Sequence, residues 1–115
     1  MNLHIGSSQF FDAAWRLLDS ERVVSIRAIQ DASCEYFGVK RTEIMSPRKD
    51  RLVCNARMMA MYLACELTDR SLPEVGRMFH RDHTTILHGR NKMRQQVKEN
   101  TFFENAASEL TAIIE

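Results

Sequence analysis

Apolar positions along the chain recur at helical spacing, and no clean two-residue alternation marks a strand. Phe11, Ala14, Trp15 and Leu18, with Phe10 and Leu17 close by, predict a first helix from about Ser8 to Asp19. A second runs from about Ser25 to Phe37, with Ile26, Ile29 and Phe37 turned inward. Ser25 is a suitable cap for it, and Gly38 can end it in a left-handed conformation. "TEIM" makes a short helical turn, and "SPRKDR" at 46–51 reads as a basic loop because Pro47 disfavours helix before it. Ala56, Met59, Ala60, Leu63 and Leu67 then mark a long helix from about Leu52 to Leu67. Its methionines Met58, Met59 and Met61 fit a core better than a cofactor box.

The C-terminal half is richer in start signals. "SLPE" is a capping box in which Ser71 and Glu74 satisfy each other's end, with Pro73 in the first turn. That helix ends near Phe79. About three residues of turn lead to Asp82, a good N-cap, and a helix to about Val97. "TFFE" at 101–104 predicts a second capping box and a last helix to Ile114. A short helix, a tight turn and a longer helix form a helix-turn-helix pattern. On the longer helix Ile86, Met93 and Val97 share a face, with Leu87 at its edge. Thr84, Thr85, His88, Lys92 and Gln95 form a polar, basic stripe away from it.

Length and charge sharpen the picture. The 115 residues suit one domain. No run approaches the ~18 apolar residues a membrane span needs, and the N-terminus lacks the pattern of a signal peptide. The expectation is a cytoplasmic, nucleoid-associated protein. Cys34, Cys54 and Cys65 form no C-x-x-C pair and read as small buried residues. The net charge of +1 hides an asymmetry. Residues 40–98 hold 13 Lys/Arg and 6 Asp/Glu, against 3 and 9 elsewhere. A basic middle of this kind points to a polyanion, nucleic acid first.

"HRDHTTILHGR", 80–90, concentrates the candidate chemistry. It begins like the kinase loop H-R-D-L-x-x-x-N, but Asn91 stands too far on and no glycine-rich loop accompanies it. No phosphate-binding G-x-x-x-x-G-K-[ST] occurs. His83 and His88 point apart on a helix, so no metal site is expected. No enzyme activity and no cofactor are expected. Base reading fits better. Asp82 can accept from cytosine N4, the methyls of Thr84 and Thr85 can pack on thymine, and His83 can meet a base. A pure cap at Asp82 and surface threonines remain the equal alternative on these residues alone.

"ARMMAMYLACELTDRSLPEVGRMFHRDHTTILHGRNKM", 56–93, closely resembles the C-terminal DNA-binding domain of the bacterial replication initiator DnaA, with a weaker likeness back to about Ile26. The resemblance implies an all-α fold, a small helical bundle with a helix-turn-helix of the Trp-repressor-like kind, here residues 23–115 after an N-terminal extra helix and linker at 1–22. It implies binding of double-stranded DNA at DnaA-box-like sites, with a role in replication initiation or transcription. Base contacts fall on Asp82, His83, Thr84 and Thr85, and on Lys49 in the minor groove. By the same resemblance Arg57, Ser71, Leu72 and Pro73 meet phosphate and the basic loop brings Arg48 and Arg51 to the DNA; from their charge and position Arg77, His88, Arg90 and Lys92 are expected on phosphates too, and Arg81 on a phosphate or a guanine.

The departures from that family carry expectations too. Phe79-His80-Arg81 replaces F-G-G-R, shortening the turn by one residue. Met58 replaces a frequent glutamine, and Lys49 an arginine with its planar fork. Altered or relaxed box preference is therefore expected. These 115 residues hold no ATPase module, which leaves a fragment of a longer protein or a free-standing domain; a free-standing protein regulating without ATP is the expectation. The alternative is an interaction module that mimics the initiator's DNA-binding domain and binds DnaA or its regulator. Such a protein is expected as a monomer or weak dimer, away from membranes.

Overall fold

A computed structural model describes residues 24–115. The helix expected over 8–19 lies outside the described residues. Within them six helices follow one another: α1 (Ile26–Phe37), α2 (Arg41–Met45), α3 (Arg51–Leu67), α4 (Leu72–Phe79), α5 (His83–Glu99) and α6 (Thr101–Ile114). The all-α expectation is met. Ser25 Oγ accepts from Ala28 N at the start of α1, and Gly38 closes it at φ 73°. Glycine bears this left-handed conformation without a Cβ clash.

Helix α3 is the central element and packs most extensively against α1 and α5. Its small residues Ala56, Ala60 and Ala64 are buried beside Met59, Met61 and Leu63. This lets α1 approach with Ile29, α5 with Ile86 and Met93, and α6 with Leu110. Burying side chains of this size supplies most of the stabilisation, at about 1.5–3 kcal/mol each. Gln30, Ser33 and Arg57 are polar side chains buried with the core, and Gln30 bridges three helices. Gln30 Nε2 donates to Met78 O (2.8 Å) and its Oε1 accepts from Arg41 Nε (2.9 Å). This ties α1 to both α2 and α4.

Several expectations need correction. Thr101 does not cap α6; Asn100 does, its Oδ1 accepting from Phe102 N at 2.8 Å. Helix α5 continues to Glu99 rather than stopping near Val97, so Asn100 alone joins the last two helices. Leu67 and Met58 are only partly buried, and α3 starts one residue early, at Arg51. Of the cysteines only Cys34 is fully buried; burial pushes its thiol up to about 11. Cys54 and Cys65 are half-buried.

Candidate nucleic-acid interface

The turn between α4 and α5 is built from short-range chemistry. Ser71 and Glu74 form the expected capping box: Ser71 N donates to Glu74 Oε1 (2.8 Å) and Glu74 N to Ser71 Oγ (3.3 Å). These hydrogen bonds hold the Glu74 carboxyl below the usual carboxylate range. Val75 N donates to Ser71 O and Pro73 has no N–H. The remaining donor at the front of α4 is the N–H of Leu72.

At the other end of α4, His80 takes a left-handed conformation (φ 56°) and closes the helix. Arg81 N then donates to Gly76 O at 2.9 Å. The chain passes so close that a Cβ on Gly76 would stand 2.5 Å from Arg81 O. The shortened turn thus closes on one residue at positive φ, and histidine fills it.

Asp82 opens α5. Its Oδ1 accepts from Thr85 N (3.0 Å) and Thr85 Oγ1 (3.3 Å). The Thr85 backbone bond, followed by the Thr84 hydroxyl, keeps the carboxyl below its ordinary range and ionised. Asp82 is a cap, so one of its oxygens is engaged within the protein. His83, Thr84 and Thr85 stand exposed around it on the first turn. Ile86, the next residue, is fully buried and fixes which side of α5 faces out.

Beside this turn lies a groove of about 650 Å³ between the 46–50 loop, α3 and α5. Its rim carries Lys49, Arg81, His88 and Lys92, and its floor Met58, Met61 and Gly89. Thr85 reaches the same groove. Lys49 and Lys92, with Arg51, also border a second depression of about 520 Å³. Lys49 makes no ion pair among the described residues.

The other basic residues differ in how they are held. Arg48 is bound by two carboxylates, Glu43 at 2.5 Å and Asp50 at 3.1 Å. Arg57 is 7% exposed. Its Nε donates to Ile44 O (2.8 Å), and its Nη2 to Ser46 O (2.9 Å) and Arg48 O (2.8 Å). Its Nη1 has a weaker partner in Cys54 Sγ at 3.6 Å. Arg81 donates to Phe79 O, Ile44 O and Ser46 O. Burial, and after it the charge of Arg57, lowers the Arg81 pKa from its ordinary value. Arg90 engages the neighbouring Asn91 and does not border either depression. Arg77 and Pro73 are exposed on α4, outside the groove lining.

Sequence reasoning tied Met58 to this surface but not Met61, Gly89, Cys54, Asn55 or Gln96. Their signal was positional only: each lies on a turn of α3 or α5 adjoining a basic residue. Among the described residues no group of three or more His, Cys, Asp or Glu side chains could hold a metal ion. Nor is any described helix long and apolar enough to cross a membrane.

A short helix, a three-residue turn with His80 left-handed, and a capped second helix with its first turn exposed define a helix-turn-helix protein. The chain belongs to the bacterial dnaA protein helix-turn-helix family, which matches residues 26–93, more than half its length. It is 40% identical over 96 residues to the chromosomal replication initiator protein DnaA of Gluconobacter oxydans, covering 83% of this chain and 20% of the relative. The DnaA of Thermoanaerobacter pseudethanolicus is 35% identical over 89 residues, covering 77% of this chain and 20% of the relative. That of Lactobacillus delbrueckii subsp. bulgaricus is 33% identical over 115 residues, covering 99% and 25%. The chain therefore spans only a fifth to a quarter of these relatives. Membership places it with a non-catalytic helix-turn-helix module rather than with an enzyme.

Proposed function

We propose that residues 23–115 bind double-stranded DNA at DnaA-box-like sites, and so regulate replication initiation or transcription in the cytoplasm without ATP. The observation that carries this is the exposed first turn of α5, directly bordering the basic groove in a chain of this family. In the proposed complex that turn enters the major groove. His83, Thr84 and Thr85 meet base edges and thymine methyls, and the free oxygen of Asp82 accepts from a cytosine amino group. Lys49, on the loop, reaches the minor groove. Phosphates are met by Arg51, His88 and Lys92, by Arg77, and by Leu72 N–H at the front of α4 beside Ser71 and Pro73. Arg48 exchanges a carboxylate for a phosphate, and Arg57 offers Nη1. Arg90 lies furthest along α5 and acts through its charge.

The test is the pair His83→Ala and Thr84→Ala on a box duplex and a scrambled duplex. Each good base contact is worth about 1–3 kcal/mol, so box affinity should fall about tenfold or more while scrambled affinity holds. Equal losses on both duplexes contradict direct readout and favour the alternative, docking onto the initiator DnaA or its regulator.

A further inference from the structure

Resting on that reading, we infer that Arg81 is a positioning residue that sets the spacing between the minor-groove loop and the recognition helix, rather than a DNA contact. Two guanidiniums from different elements converge on the same carbonyls. Arg57, from α3, and Arg81, from the turn before α5, both donate to Ile44 O (2.8 and 3.3 Å) and to Ser46 O (2.9 and 2.7 Å). These carbonyls end α2 and begin the loop, where a helix leaves acceptors unsatisfied. Ser46 lies three residues before Lys49, and Arg81 two before His83. The Ser46–Arg81 bond thus links the two reading elements directly. Arg81 also holds its own turn through Phe79 O at 2.9 Å. Three carbonyls take both Nη1 hydrogens and one of Nη2, so most of its fork is turned to the protein rather than to a phosphate.

The arrangement needs a planar, multiply donating group. A lysine carries the same charge, but its ammonium is a point donor without a fixed fork. It can serve a phosphate but cannot span carbonyls of the loop and of the turn. The two like charges beside each other also repel in the free protein. They are held together because each is hydrogen-bonded to carbonyls rather than to the other. Loss of Arg81 leaves the loop held to α3 by Arg57 but unties it from the turn before α5, and so loosens the placement of Lys49 relative to α5.

The experiment uses the full chain, wild type and Arg81→Lys, with thermal unfolding as the check on folding. Box duplexes carry single exchanges of A·T to G·C or to I·C. The I·C pair keeps an A·T-like minor groove, whereas G·C adds an amino group there. In the wild type, pairs under the loop should lose about tenfold on G·C exchange and nothing on I·C exchange. In Arg81→Lys that penalty should shrink to within about twofold, while exchanges under α5 keep theirs. Independently, a double-mutant cycle of Lys49→Ala with Arg81→Lys should be strongly non-additive. If Arg81→Lys does not fold, Arg81→Gln, which can still donate to a carbonyl, takes its place. An unchanged G·C penalty, or an additive cycle, overturns the clamp and leaves DNA reading standing. A wild-type protein without box preference overturns both.

Discussion

Gly76→Ala isolates the contact on which the turn depends. Gly76 has helical φ, so the backbone itself accepts alanine, and the change should stabilise by about 1 kcal/mol from helix propensity alone. The added Cβ, however, would stand 2.5 Å from Arg81 O, 0.9 Å inside the 3.4 Å at which ordinary contact begins. Asp82 C and Arg81 C follow at 3.4 and 3.5 Å. These are main-chain atoms, and they cannot swing aside. Arg81 is held by its N–H to Gly76 O, by its guanidinium on the loop carbonyls, and by the Asp82 cap that follows. Overpacking of this kind costs about 1–3 kcal/mol, and loss of the Arg81 N–H bond about 1 kcal/mol more. Net destabilisation of about 1–3 kcal/mol follows, which lowers Tm by roughly 5–15 °C in a domain of this size. Gly89→Ala is the matched control. Its Cβ would meet Met61 Sδ at 2.8 Å and Met58 Cγ at 3.7 Å, both on flexible side chains. It should stay within about 1 kcal/mol of wild type by the same propensity and packing terms. Thermal unfolding of the three proteins decides the matter. A Gly76→Ala melting at or above wild type, or a Gly89→Ala that falls as far, refutes the reasoning.

Other outcomes follow from the same structure. Leu63→Ala, 1% exposed in the C-terminal part of α3, should lose about 2–5 kcal/mol in urea with an unchanged slope; a loss under 1 kcal/mol contradicts the packing. Gln30→Met keeps the volume but strands Met78 O and the Arg41 guanidinium, so about 1–3 kcal/mol should go, and a neutral result contradicts that bridge. Asp82 and Glu74 both have lowered carboxyl pKa values. Protons therefore bind the unfolded chain first, and their stabilisation is full above about pH 4.5 and lost as pH falls through the folded values. The stability gap between wild type and Asp82→Asn should narrow on acidification, and a gap constant from neutral to acid pH shows the cap to be idle.

How far the sequence could be read depended on the range of the interaction. Ser25, Gly38, Ser71 with Glu74, and Asp82 act within four residues of themselves, and each is found in its expected role. Where two local signals competed, the wrong one was favoured. Thr101 and Glu104 match a capping box, but Asn100, one residue earlier, takes extended φ and ψ and caps α6 instead. The charged residues were least legible. Arg57 and Arg81 read as surface cations, yet both donate to carbonyls of a loop 11 and 35 residues earlier in the chain. Arg48 reads as a free charge and is held between Glu43 and Asp50. No periodicity reports which carbonyls a tertiary fold leaves unpaired. The exposed turn at 83–85 was legible because it combines a local cap with the buried phase of Ile86.

Fluorescence anisotropy on labelled DNA tests the central claim most directly. The protein is titrated onto a DnaA-box duplex and a scrambled duplex of equal length, at low and moderate salt. Both affinities should fall with salt as phosphate contacts release counterions. The box should stay preferred by about tenfold or more, the discrimination a few base contacts supply. Equal, weak binding to the two duplexes, with the same salt slope, would contradict sequence reading by α5.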